Sequence, residues 1–368
     1  MDKKFVMGIA AMAALTLVSC SSDDLDSFSD NSSKNEAISF DGYLGRSAVA
    51  VNGSRGSVLE MDDLKKSTDG FGVFGKHTLN ADPQPADPMI FKNQQVTYKY
   101  SKWTYSPIKY WPTTDGHIDF LAYAPYDKNT PLTENSKINF TVNDDVTKQK
   151  DLLWANAQAQ TKAMITSKNN KVTFHFAHAL SKLGYTIKLH EKYTTATFTL
   201  NKIILAGSPD ETTKKAFYKT GTIDLSKDLS KNPSDNKVLW TVATSDANKQ
   251  NLNWVSEAES YEVNSIDPND SKNYLFVIPQ DFSKDKTEGG PDVDELYIIV
   301  QYTITYADNG ETQTNTVYKR LKQNFLQGKA YKINLTIGLP IEFDADVTPW
   351  GTEIGIPEDG IDSWDGIK

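Results

Sequence analysis

Four kinds of residue in this 368-residue chain could do chemistry: a single cysteine, five histidines, three arginines and many carboxylates. The cysteine has the most specific surroundings. Cys20 follows Leu17-Val18-Ser19, which closes a mostly apolar run from Phe5 to Val18 behind Lys3 and Lys4. Such a run is shorter than the roughly 20 residues that cross a bilayer and has the length of a signal-peptide apolar region. Charge, apolar run and cysteine come in the order cut by lipoprotein signal peptidase. Residues 1–19 are therefore read as a signal peptide and Cys20 as a lipidation site. Acyl chains contribute about 0.8 kcal/mol per buried CH₂, so two or more would hold the protein on a membrane without a spanning helix. The alternatives are an ordinary secretory signal and a buried free thiol. Ser21-Ser22-Asp23-Asp24-Leu25-Asp26 reads equally as an acidic export signal or a solvated tether.

The histidines are His77, His117, His175, His178 and His190. His175 and His178 lie three apart, so a strand puts them on opposite sides and only a helix brings them together. A structural role at a strand end is expected, and no metal site. Asp267-Pro268-Asn269-Asp270-Ser271 starts like a calcium loop but lacks the glycine at position six and the glutamate at twelve, so a solvated turn is expected. The chain has no Gly-x-Ser-x-Gly, Walker loop, dinucleotide fingerprint or His-Glu-x-x-His. The abundant carboxylates do not by themselves define a hydrolytic pair. The expectation is a non-enzyme with no cofactor.

Two further groups bear on binding and processing. Trp103, Tyr105, Tyr110 and Trp111 cluster before Pro112 and suit core or domain-edge packing, or else a sugar-stacking platform. Only three of the 39 Lys and Arg are arginines: Arg46, Arg55 and Arg320. Arg320 falls in a predicted strand. Arg46 and Arg55 fall between two strand candidates in a Gly-, Ser- and Asn-rich stretch of the kind that is nicked. An arginine-specific protease would thus cut near the amino end and spare the rest. Chance placement in an arginine-poor chain gives the same pattern.

The elements that must position these residues are strands. Val172, Phe174 and Phe176 alternate with Thr173, His175 and Ala177. Leu296, Ile298, Val300, Tyr302, Ile304 and Tyr306 form the longest stripe. It ends at Ala307-Asp308-Asn309-Gly310, where Asn-Gly is expected to supply the positive φ angles of a hairpin turn. Ile38–Phe40, Gly70–Phe74, Ile118–Tyr123, Thr197–Leu205 and Tyr331–Ile337 add more strands. Ala177–Lys182 is a candidate helical turn and Leu152–Ala163 a candidate short helix. Many short strands between Gly, Pro, Asn and Asp clusters indicate an all-β fold of sandwich type. A boundary is placed near residues 179–185. Residues 20–36 are too polar to offset chain entropy and read as a flexible linker. The net charge of −9, with no basic block, argues against nucleic acid and against electrostatic membrane binding.

Five segments together resemble the fimbrillins, or type V pilins. They are the lipobox with Cys20; Tyr110-Trp111-Pro112 leading into His117–Pro125; Asp151-Leu152-Leu153-Trp154-Ala155; Val172–Leu183; and Gln327-Gly328-Lys329-Ala330-Tyr331. The resemblance implies two transthyretin-like β-sandwich domains in tandem, at 37–180 and 181–345, with a C-terminal tail at 346–368. It implies a structural subunit of a cell-surface pilus, used in adhesion and biofilm formation. It also implies assembly: the lipidated precursor sits at the outer membrane, an arginine-specific protease removes its first strand, and another fimbrial subunit lends a replacement. Here the removable strand would hold Ile38 and Phe40. Arg55 fits the family's cleavage position better than Arg46. The donor would come from the tail, with Val347, Trp350, Ile354 and Ile356 as its apolar positions. That tail is longer and richer in turns than a shaft subunit's, so tip and anchor roles stay open. The alternative of another class is an anchored glycan-binding lipoprotein. Receptor and partner subunits are not legible.

Overall fold

A computed structural model describes residues 37–44, 61–80, 89–133, 136–166, 170–190, 196–227, 239–256, 259–261, 274–288, 290, 292–337, 342–349, 355–356 and 365–366. Cys20, Arg46, Arg55, Trp350, Ile354 and the Asp267–Ser271 run lie outside the described residues. The first half holds β1 (Phe40–Leu44), α1 (Met61–Lys66), β2 (Phe71–Thr78), β3 (Met89–Lys99), β4 (Lys102–Thr104), β5 (His117–Ala124), β6 (Lys137–Thr141), β7 (Leu153–Gln160), α2 (Lys162–Thr166) and β8 (Val172–His178). Next come β9 (Ser181–Leu189), β10 (Ala196–Ala206), β11 (Phe217–Tyr218), β12 (Thr220–Asp224), β13 (Trp240–Val242), β14 (Lys249–Gln250), β15 (Leu252–Val255), β16 (Glu259–Tyr261) and β17 (Leu275–Val277). The chain closes with β18 (Gln280–Asp281), β19 (Tyr297–Tyr306), β20 (Thr312–Arg320), β21 (Asn324–Phe325), β22 (Lys329–Ile337), β23 (Glu342–Pro349), β24 (Gly355–Ile356) and β25 (Asp365–Gly366).

The fold is all-β, as the alternation predicts. A seven-stranded sheet runs β1-β8-β7-β5-β2-β3-β4. It is antiparallel throughout except at β1, which lies parallel to β8. β4, last in that order, comes back against β1, so the sheet curls around a core of Ile38, Phe40, Phe71, Phe91, Phe120 and Phe174. In the second half, a sheet ordered β17-β9-β22-β23-β24 faces one ordered β15-β10-β19-β20-β25. Leu183 and Ile333 from the first meet Leu200 and Ile298 from the second in one core. β6 pairs with β12, which pairs with β13. Ile138, Ile223 and Trp240 of this small sheet pack on Phe74, Leu121 and Trp154 in a third core.

Period-two burial explains β8: Val172, Phe174 and Phe176 are buried, while His175 is exposed. Three local expectations are corrected. Leu152–Ala163 is not a helix; it is β7 followed by the short α2. Leu153 and Ala155 enter the first core and Leu152 and Trp154 the third, so the start of the strand, buried on both faces, shows no polar alternation. Ala177–Lys182 makes no helical turn, because β8 passes almost directly into β9. Its backbone is satisfied in extended form: Ala179 N–H donates to Leu152 O at 2.8 Å, and Gly328 N–H to Leu180 O at 2.9 Å. The β19–β20 hairpin turns through residues 307–311 and not through a two-residue Asn-Gly turn. Tyr306 N–H donates to Glu311 O at 2.9 Å, and only Gly310 has positive φ, +70°.

Candidate assembly site

β1, with Ile38 two residues ahead of it, is an edge segment whose side chains plug the first core. Ile38 is 1% exposed, Phe40 2% and Leu44 8%. Phe40 sits in an aromatic box, with ring centroids of Phe91, Tyr105, Phe120 and Phe174 at 5.3, 5.5, 5.6 and 5.6 Å. Burying three such side chains stabilises by roughly 6 kcal/mol in total, a large part of a domain's usual net stability of about 5–15 kcal/mol. Beyond its five-pair ladder with β8, few bonds hold the backbone. Ile38 N–H donates to Lys109 O at 2.8 Å, and Val172 N–H donates to Ser39 O at 2.8 Å. The Tyr105 hydroxyl donates to Ile38 O at 2.7 Å. Burial pushes the Tyr105 pKa up to about 12, so that hydroxyl keeps its proton at neutral pH.

The outward side of β1 is polar. Lys171 Nζ lies 4.0 Å from Asp41 Oδ2, and exposed Tyr43 meets the His175 ring at 5.7 Å. Gly42 marks the narrow point. A Cβ there would lie 3.4 Å from Phe176 Cε2 and 3.6 Å from Trp103 Nε1, which is ordinary contact for one methyl and leaves little room for more.

The histidines fall as the strand period requires, His175 outward and His178 inward. His178 Nδ1 lies 2.7 Å from Asp151 Oδ2 with Asp151 fully buried, a pair tying the end of β8 to the approach of β7. Sequence reasoning did not find this pair, although both residues lie in segments that carried the resemblance. Among the described residues, no group of three or more His, Cys, Asp or Glu could hold a metal. No described helix is long and apolar enough to cross a membrane. The aromatic cluster packs inward: Trp103 and Trp111 are buried, and only Tyr110 is exposed, at 53%. Trp103 meets Phe71 at 4.8 Å and Tyr98 at 5.1 Å. The four do not form an open platform. Arg320 ends β20 with its guanidinium bonded to Asp285 Oδ1 at 2.7 Å and Lys284 O at 2.9 Å. Val347 lies in β23, paired with Tyr331 of β22, and Ile356 lies in β24, paired with Ala345.

Residues 58–350 match the fimbrillin-like family. The chain is similar to fimbrium subunit Fim1C of Phocaeicola vulgatus, at 28% identity over 235 residues. That alignment covers 57% of this chain and 59% of the relative, so the chain spans less than two thirds of the length of the curated relative it matches. A crystal structure of a fimbrial protein from Bacteroides vulgatus superposes with a TM-score of 0.59 at 18% identity, covering 85% of this chain and 99% of that one. At that identity the likeness speaks for the fold alone. With most of its length matched, the chain belongs to the fimbrillin-like family.

Proposed function

We propose that this protein is a structural subunit of a cell-surface fimbria that polymerises after losing its first strand. The precursor is carried to the outer membrane by lipid on Cys20. An arginine-specific protease cuts at Arg55, with Arg46 as the second site, and removes β1 together with the anchor. The remaining chain is two sandwich units, 37–180 less the lost strand and 181–345, and the segment after 345 supplies the donor. The fibre serves adhesion and biofilm formation.

One observation carries this reading: β1 is an edge strand with a single sheet partner, yet it fills the centre of its core with Ile38 and Phe40. Its removal leaves an apolar slot beside the unpaired edge of β8, and an incoming strand satisfies both. The family match begins at residue 58, just past Arg55. Relatives named as fimbrial subunits supply the role. The glycan-binding alternative loses its main support with Trp103 and Trp111 buried. Substituting both Arg46 and Arg55 by alanine tests the proposal. Fibres should disappear while the precursor accumulates; undiminished fibre formation would rule out the cleavage step.

A further inference from the structure

β6 is the outer strand of its small sheet, and its free edge borders a cleft. Among the described residues β6 pairs only with β12, antiparallel, with Phe140 opposite Gly221. Val142 N–H donates to Lys219 O at 2.9 Å, and Leu225 N–H donates to Ser136 O at 3.0 Å. Antiparallel bonding alternates along a strand, so Ser136, Ile138, Phe140 and Val142 turn their backbone groups to β12. Lys137, Asn139 and Thr141 turn theirs to the free edge. The chain caps the first of these itself. Thr133 N–H donates to Lys137 O at 2.9 Å, and Lys137 N–H donates to Thr133 Oγ1 at 3.3 Å. Among the described residues, nothing pairs with the N–H and C=O groups of Asn139 and Thr141.

The cleft beside them has a volume of about 730 Å³, and consecutive residues 138–141 line it. A strand lends consecutive residues to a cavity when its edge, and not one face, borders it. Tyr123, Ile138 and Leu152 are buried there, and the rings of Tyr126 and Phe140 are half-buried. The charged residues lining it are exposed Asp69, Asp127, Lys128 and Lys150, two of each sign. We propose that this cleft binds an extended, uncharged peptide segment of another protein, which adds to the free edge of β6 as a further strand.

Backbone, side chains and charge each define the partner. Asn139 and Thr141 lie about 6.7 Å apart along the strand, the two-residue repeat of any extended peptide. A strand paired with them satisfies four backbone groups left open now. Directly opposed residues of paired strands share a face. Ile138 and Phe140 face the third core, whereas Asn139 and Thr141 are exposed. The incoming segment therefore carries apolar residues opposite Ile138 and Phe140 and a polar one opposite Asn139. The opposite charges of the lining cancel, so a segment of either sign gains no net attraction. The site is separate from the β1 slot: Tyr123 and Leu152 belong to the third core, across the first sheet from Phe120 and Phe40. Peptide binding here needs no loss of β1.

The probe is the peptide acetyl-Ser-Val-Thr-Val-Ser-amide, added to the full chain with β1 in place and read by hydrogen exchange at single amides. At saturating peptide the Asn139 and Thr141 amides should slow at least about tenfold, while those of Ile138 and Phe140, already bonded to β12, stay unchanged. The Kd should fall below about 1 mM. N-methylation of the central threonine removes the donor opposite Asn139 and should abolish the slowing. Asn139→Pro removes an N–H that faces the cleft and no bond to β12. It should abolish binding while the Tm stays within about 5 °C of the parent. If this variant fails to fold, the methylated peptide still decides. Equal binding of the methylated peptide, or no slowing at about 5 mM peptide, overturns the inference. Slowing by maltohexaose and not by the peptide assigns the cleft to glycans and overturns it as well.

Discussion

Among the described residues the molecule contains two parallel strand pairs, and their contrast bears on the proposal that the first strand is a replaceable part. β22 lies parallel to β9 over eight residue pairs and is also paired antiparallel with β23 over eight more. β1 lies parallel to β8 over five pairs and has no second sheet partner among the described residues. Both strands bury apolar side chains, Ile333 and Leu335 in one case and Ile38 and Phe40 in the other. The difference is in the backbone: two ladders hold β22, and one short ladder with a few flanking bonds holds β1. A strand kept mainly by its side chains can be exchanged for any segment carrying the same side chains.

Substitutions can break or sharpen that contrast. The largest effect is expected for Phe40→Ala, about 3–5 kcal/mol of lost stability, read by denaturant unfolding of the intact chain. A loss below about 1 kcal/mol would mean that β1 is not a plug. Asp151→Ala comes next, at roughly 3 kcal/mol. It leaves His178 without its carboxylate where β8 leads into β9, so it should weaken both regions together. Tyr105→Phe removes the hydroxyl donated to Ile38 O and should cost about 1 kcal/mol. Hydrogen exchange should then quicken across Asp41–Leu44 and stay unchanged in β22. Equal quickening in both strands would erase the distinction drawn here.

The smallest contrast is in alkali. Burial raises both Tyr105 and Tyr331 from 10.0 to about 12, the first beside β1 and the second in β22. A raised pKa favours the neutral phenol in the folded state. The stability tied to it is therefore whole below pH 10 and is lost between pH 10 and about 12. Phenolate absorbance should show both regions failing over that same window. Tyr105→Phe should remove only the share belonging to β1.

The strand content was legible because half-buried strands alternate, as Val172–His178 and Tyr297–Tyr306 do. β7 was not, because its opening residues, Leu152–Ala155, are apolar on both sides and the segment is rich in alanine and glutamine, which favour helices. Pairing with β5, Ala122 against Ala155, overrides that local preference. The burial of Ile38 and Phe40 could be anticipated from the family resemblance, but their parallel pairing could not, since partner and direction are set by contacts more than a hundred residues away. The Asp151–His178 pair, 27 residues apart, was hidden because only the folded sheet brings the end of β8 beside the approach of β7.

Mass spectrometry of purified fibres tests the central claim most directly. If β1 is discarded and its slot refilled, the assembled subunit begins at Gly56 and no peptide spanning Ile38–Leu44 is recovered from the fibre. Recovery of that peptide in equal amount to the rest of the chain would contradict the account.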